Sequence, residues 1–131
     1  MKNKINSEFY AGCVFTEDTE KTIKETFERY GYLLDTHTAV AYKTLEEYKK
    51  ETGDKTVSVV LSTASPFKFS RSVYKSLYGD IDKNEFEIME ELSEKTGIPI
   101  PENLKGLNKK KIIHTSVCEI NEMEDYVRAM D

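Results

Sequence analysis

The apolar segment Val57-Ser58-Val59-Val60-Leu61 is followed at once by the small polar segment Ser62-Thr63-Ala64-Ser65-Pro66. The β-branched residues of the first segment predict a short strand that is buried on both faces, as in a parallel sheet. Pro66 suits the first turn of a helix, which the apolar spacing extends to Tyr78. These residues therefore predict a strand, a tight turn and a helix in succession.

Helical patterns lie on both sides of this unit. Apolar residues recur there at intervals of three or four, and capping residues precede them. The patterns predict helices from Glu17 to Tyr30, from about His37 to Gly53, from about Asp82 to Gly97, and from Ser116 onwards. Asp35 or Thr36 is expected to cap the second helix, and capping boxes are expected at Asp82 with Glu85 and at Ser116 with Glu119. A second short strand is predicted over residues 111–115.

The resulting order of elements, α, α, β, α, α, β, α, indicates an α/β fold with parallel pairing, because helices separate the strands. Two strands make a very narrow sheet, whose edges need neighbours. We therefore expect another copy, or a further part of the same polypeptide, to complete the sheet. We expect residues 1–8 to be a leader or an interdomain connection, and residues 9–131 to form a single α/β domain.

Composition excludes several classes of protein. The 131 residues include 19 basic and 24 acidic side chains, which gives a net charge of −5. This balance argues against a nucleic-acid-binding module, and the apolar stretches are too short to cross a bilayer. Cys13 and Cys118 lie far apart, and His37 and His114 belong to no cluster with ligand spacing, so no metal site is predicted. We expect a cytoplasmic protein with reduced thiols.

Two segments can carry chemistry. Residues 61–69 place hydroxyl groups between a strand and a helix, where open α/β folds bind ligands and where helix N–H groups can hold an anion. Residues 35–41 place a carboxylate, an imidazole and hydroxyl groups at the start of a helix. Taken singly, each segment is better explained as a helix cap than as a functional site.

Together, the segments Asp-Thr-His-Thr-Ala-Val-Ala at 35–41 and Leu-Ser-Thr-Ala-Ser-Pro-Phe-Lys-Phe at 61–69 resemble the C-terminal region of threonine synthase. The resemblance runs over nearly the whole chain from about Glu8 and includes Tyr-Gly-Tyr-Leu-Leu at 30–34. The family more usually has Pro where this chain has Thr36 and His where it has Ser65. We interpret both differences as variation within the family.

The resemblance implies part of a three-layer fold like that of the tryptophan synthase β-subunit, which binds pyridoxal phosphate (PLP). The intact enzyme would convert O-phospho-L-homoserine and water to L-threonine and phosphate. The family pattern assigns Thr63 to the pyridine nitrogen of PLP, with Ser62 as the second candidate. It places His37 and Thr38 near the substrate, and it allows Lys68 to face a phosphate or a carboxylate, although a surface lysine explains Lys68 equally well.

The resemblance also implies what this chain lacks. Nothing in it matches the Schiff-base lysine or the glycine-rich phosphate loop of such enzymes, which belong to their N-terminal part. We therefore expect a C-terminal fragment that contains no catalytic residue, is inactive alone and binds no PLP by itself. Its partner would be the N-terminal part, and a fragment of this kind can also self-associate or swap domains.

Two other interpretations stay open at this stage. The chain can be a self-standing α/β module that binds a partner or an anion without catalysis. It can also be an enzyme with a Cys-His pair, formed by Cys118 or Cys13 with His114 or His37, although nothing basic nearby would lower the pKa of a thiol.

Overall fold

The computed structural model describes residues 8–113 and 115–129. Five α-helices are present in this part of the chain: α1 Thr16–Tyr30, α2 Thr36–Thr52, α3 Ser70–Tyr78, α4 Glu85–Thr96 and α5 Met123–Arg128. Short 3-10 helices span Pro66–Phe69, Leu107–Lys109 and Ile120–Glu122. The helix expected from Pro66 to Tyr78 therefore begins as a 3-10 turn and becomes α-helical at Ser70.

The ends of the helices follow local chemistry. Gly31 ends α1 with φ 65°, and Gly53 ends α2 with φ 73°, in the left-handed region that glycine adopts without a steric cost. Asp35 caps α2, as one of the two predicted capping residues. The predicted capping box at Asp82 was wrong by two residues, because Asn84 caps α4 and pairs with Glu87 three residues later.

The core lies where α1 packs on α2 and α3, and where α3 packs on α4. Its centre consists of fully buried side chains from several elements, and it is closed by Leu33 and Leu34 from the α1–α2 connection. The buried apolar residues are Ile23, Leu33, Leu34, Ala39, Phe67, Val73, Tyr74, Ile88, Met89 and Leu92. Every buried side-chain polar atom in the described part has a hydrogen-bond partner.

The predicted α/β fold is wrong for residues 8–113 and 115–129, in which helices form and no strand does. Residues 53–63 are irregular, and Val57, Val59 and Leu61 are 92%, 83% and 75% exposed, whereas a strand buried on both faces was expected. A strand exists only beside a second strand that satisfies its N–H and C=O groups. The sequence pattern was that of a strand, but no neighbouring strand is present in the described chain.

The second predicted strand, residues 111–115, includes His114, which lies outside the described residues. Ile112 and Ile113 are exposed and not in a strand. The last helix begins later than predicted, because the capping box forms between Glu119 and Glu122 instead of at Ser116. Residues 1–7 also lie outside the described part, so the expected boundary near residue 8 stays a prediction.

A cluster of charged and aromatic side chains joins α3 to α4. The Glu91 carboxylate accepts a hydrogen bond from the Tyr74 hydroxyl at 2.6 Å and pairs with Lys83 and Lys95. The Lys95 ammonium group also lies 4.8 Å from the centre of the Tyr78 ring, a cation–π distance. Hydrogen bonds from Lys83, Tyr74 and Lys95, in that order of size, lower the pKa of Glu91 from 4.5 to about 2.

Because of this lowered pKa, the free energy of unfolding depends on pH. The folded state favours the charged form of Glu91, so its contribution is complete above pH 4.5 and is lost as the pH falls towards 2. We expect Glu91→Gln to flatten the acid limb of stability, measured by urea unfolding at steps from pH 6 to pH 2. Glu25→Gln is the matched control, because Glu25 has only an exposed contact with Lys21 at 3.8 Å. Equal acid limbs for Glu91→Gln and the wild type would contradict the prediction.

No helix in the part of the chain that the structure describes is both long and apolar enough to cross a membrane.

Candidate functional site

The two segments singled out from the sequence meet in space. Thr38, in the first turn of α2, lies with its hydroxyl oxygen 3.4 Å from that of Ser62. The ring of His37 lies 4.9 Å from the ring of Phe69, measured between centres. The α2 N-terminus therefore packs against the turn that leads into α3, although 24 residues separate Thr38 from Ser62.

Asp35 is the centre of this contact. Its side chain is buried, with the residue only 1% exposed. One carboxylate oxygen accepts the backbone N–H groups of His37 at 2.9 Å and Thr38 at 3.3 Å. The other oxygen accepts the Thr38 hydroxyl. Asp35 was predicted only as a possible cap, and the aspartate-to-threonine spacing of three residues was the signal for the additional hydroxyl bond.

His37 is at the surface of the site. Its side chain is 66% exposed, and its Nδ1 atom lies 3.4 Å from the Asp35 carboxylate. The imidazole borders a groove of about 410 Å³ between α1, α2 and α3, together with hydroxyl groups from Thr36, Ser72 and Ser76. The ring is therefore oriented by Asp35 and Phe69 and is open to a small molecule.

The turn before α3 carries Ser65 and two further predicted site residues, Thr63 and Lys68. Ser65 caps it by accepting the Phe67 N–H at 3.3 Å, so the serine that replaces the family's usual histidine has a structural role. Thr63 and Lys68 are exposed, and their side chains form no hydrogen bond or ion pair within residues 8–113 and 115–129. The structure thus brings Thr38 and Ser62 together, and it leaves Thr63 and Lys68 open to solvent.

A second groove, of about 350 Å³, borders Thr38 and Ser62 on the side of α1. Three phenol rings, those of Tyr30, Tyr32 and Tyr42, line it. Burial raises the pKa of Tyr42, with smaller contributions from Glu46 and the Tyr30 hydroxyl. The Tyr42 phenol therefore stays protonated at neutral pH. Sequence reasoning included Tyr30 and Tyr32 in the resemblance at residues 30–34 without giving them a site role, and it did not single out Tyr42.

Cys13 and Cys118 are the thiols considered for a Cys-His pair. Cys13 is exposed and Cys118 is partly exposed, and both are free thiols. His114, the proposed partner of Cys118, lies outside the described residues. Among the residues that are described, no group of three His, Cys, Asp or Glu side chains is arranged to hold a metal ion.

Comparison with known proteins identifies the family. Residues 38–127 match the family described as "Threonine synthase, C-terminal". Threonine synthase of Buchnera aphidicola subsp. Acyrthosiphon pisum is 35% identical over 89 residues, which are 68% of this chain and 19% of that enzyme. Threonine synthase of Methylobacillus glycogenes is 41% identical over 69 residues, 53% of this chain and 14% of that enzyme. The Saccharomyces cerevisiae enzyme is 35% identical over 79 residues, with coverages of 56% and 15%.

The chain therefore belongs to the threonine synthase C-terminal family, which confirms the resemblance drawn from the two motifs. Its match to the Buchnera relative spans about a fifth of that enzyme's length, 19%. The matched range includes Thr38, Ser62, Thr63 and Lys68, and it begins just after His37.

Proposed function

We propose that this chain acts as the C-terminal part of a PLP-dependent threonine synthase, which converts O-phospho-L-homoserine and water to L-threonine and phosphate. The observation that carries the proposal is the family match over residues 38–127. The N-terminal part would supply the Schiff-base lysine, and this chain would be inactive without it. The proposed enzyme works in the cytoplasm, where free thiols such as Cys13 persist.

The hydroxyl groups at the end of residues 53–63 fit the pyridine end of PLP. Thr63 is exposed and its hydroxyl has no partner in the described chain, so it can donate a hydrogen bond to the ring nitrogen. When bound, PLP supplies an electron sink for the chemistry at the substrate's carbon atoms. A neutral hydroxyl donor leaves the ring nitrogen unprotonated, whereas a carboxylate partner would favour its protonation. A hydroxyl therefore moderates the electron sink, which suits elimination and replacement.

His37, Thr38 and Lys68 belong to the proposed substrate region. The exposed Lys68 ammonium group can bind the substrate's phosphate or carboxylate as a point charge. The His37 imidazole, oriented by Asp35, offers a second polar contact at the α2 N-terminus. Thr38 supports the substrate region from the protein interior, because it is buried and hydrogen-bonded to Asp35.

Replacing Thr63 tests the cofactor contact. In the intact enzyme, we expect Thr63→Val to raise the dissociation constant of PLP about fivefold, which corresponds to the loss of one ordinary hydrogen bond. The measurement is a titration of cofactor-free enzyme with PLP, followed by absorbance. Thr63→Ser keeps the hydroxyl and is the matched control, with an expected change below about twofold. A fivefold loss in both variants, or in neither, would contradict the assignment.

The exposed apolar segment around Val57, Val59 and Leu61 is the proposed contact surface for the N-terminal part. Further apolar side chains, Ile112, Ile113, Val117 and Ile120, are also exposed. Several large apolar side chains exposed close together in the sequence favour an interaction surface. The relatives are several times longer than the region they share with this chain, and that supports an occupant from the same enzyme.

Mixing the two parts tests both the partner and the activity. We expect the separately produced N-terminal part to bind this chain, and the mixture, but neither part alone, to release phosphate from O-phospho-L-homoserine. The triple replacement Val57→Ser, Val59→Ser and Leu61→Ser should weaken binding at least about tenfold, because it removes most of the apolar area that this segment would bury in the complex. Ser58→Ala, in the same segment, is the control.

Other outcomes of this experiment point elsewhere. A chain that dimerises through Val57–Leu61 and ignores the N-terminal part would favour self-association. A stable monomer that binds no N-terminal part and supports no phosphate release would contradict the proposal and favour a self-standing binding module.

A further inference from the structure

Three side chains form a continuous hydrogen-bonded series beneath the proposed cofactor contact. The Thr38 hydroxyl contacts the Asp35 carboxylate on one side and lies 3.4 Å from the Ser62 hydroxyl on the other. Asp35 and Thr38 are 1% and 3% exposed, and Ser62 lies at the surface beside Thr63. The series therefore runs from a buried carboxylate to the residue next to the proposed PLP ligand.

The number of available protons fixes the direction of this series. A carboxylate only accepts hydrogen bonds, and a threonine hydroxyl has one proton to donate. Asp35 faces two backbone N–H groups and the Thr38 hydroxyl, so it accepts the hydrogen bond that the Thr38 hydroxyl donates. Thr38 is then able only to accept from Ser62. Ser62 therefore donates its hydroxyl proton to the Thr38 oxygen and presents only lone pairs to a bound group.

We infer that Asp35 and Thr38 are positioning residues that keep the Ser62 hydroxyl from donating to the cofactor and leave Thr63, of the two candidates, as the donor to the pyridine nitrogen. The inference rests on the proposed function, and it decides between the two candidates for the pyridine contact. An acceptor such as Ser62 would repel the lone pair of an unprotonated ring nitrogen, whereas the Thr63 hydroxyl can donate to it.

Asp35→Asn reverses the series without removing the helix cap, because asparagine is as good a cap as aspartate. The two backbone N–H groups hold the amide oxygen where one carboxylate oxygen was, so the amide NH₂ faces Thr38. The amide then donates to Thr38, Thr38 donates to Ser62, and the Ser62 proton becomes free. Thr38→Val frees the same proton by removing the acceptor.

The test is a rescue of PLP affinity in the intact enzyme, measured by absorbance titration of the cofactor-free form. Thr63→Val raises the dissociation constant about fivefold, as above. Adding Asp35→Asn, or separately Thr38→Val, should return it to within about twofold of the wild type, because Ser62 now donates. Adding Ser62→Ala to either double variant should remove the rescue. A merely structural role for Asp35 predicts a further loss of affinity instead.

The outcomes separate the inference from the proposed function. If Thr63→Val leaves PLP affinity unchanged, the proposed cofactor contact is wrong and the inference falls with it. If Thr63→Val weakens binding but neither Asp35→Asn nor Thr38→Val restores it, only the inference is overturned. A rescue that survives Ser62→Ala would also overturn it, because the donor would then not be Ser62.

Discussion

Phe67→Ala is expected to lower the free energy of unfolding by about 3–5 kcal/mol, as for other buried aromatic residues. Phe67 is 2% exposed and belongs to the central core. It also anchors the 3-10 turn, because its carbonyl accepts the Ser70 hydroxyl at 2.7 Å and its N–H donates to Ser65. Phe67→Ala keeps these two backbone hydrogen bonds, so the expected loss comes from the cavity left in the core beneath the turn that carries Lys68. The measurement is urea unfolding of the full chain followed by circular dichroism.

Phe15→Ala is the matched control for this prediction. Phe15 precedes α1 and is 69% exposed, so its truncation creates no cavity. Its expected effect is within about 0.5 kcal/mol, as for most surface substitutions. Similar losses at Phe15 and Phe67 would mean that the turn before α3 is not packed into the core.

Asp35→Ala is expected to cost about 2–4 kcal/mol in unfolding free energy. The replacement removes the cap of α2, which accounts for about 1 kcal/mol, and it leaves buried N–H and hydroxyl groups without a partner. Urea unfolding at neutral pH measures the loss, and Asp35→Asn should recover most of it.

Asn84→Ala provides the comparison for Asp35. Asn84 caps α4 with the same two-bond geometry, but its bonds are exposed, so its loss should cost only about 1 kcal/mol. A cost at Asp35 no larger than that at Asn84 would show that the buried hydroxyl series adds nothing to stability.

The helices were largely predictable because their signals are local. Gly31, Gly53 and Gly97 end three helices with positive φ, and apolar residues at intervals of three or four mark the buried faces of α3 and α4. The buried face of α1 instead consists of three threonines and Ile23. The exact first residue of each helix was less predictable. Asn84 and Asp82 are both good caps, and the choice between them depends on which one the Glu87 side chain can reach.

The strands were not predictable, because a strand is a property of two segments. Val57–Leu61 has the composition of a buried strand, yet pairing requires a neighbour that composition does not supply. In the described chain the segment is exposed, with Val57 at 92%. The same apolar residues that suggested a strand now mark the proposed contact with the N-terminal part.

By itself, the sequence determined the helix ends at glycines, the start of α2 at Asp35 or Thr36, and the family, since each depends on residues close together or on a motif pair. Only the tertiary structure decided that Thr38 reaches Ser62 across 24 residues and that Asp35 holds the Thr38 hydroxyl. The physical reason is that a hydrogen bond between distant segments depends on how α2 and the turn before α3 pack. That packing is set by the whole core around Phe67, and no local pattern encodes it.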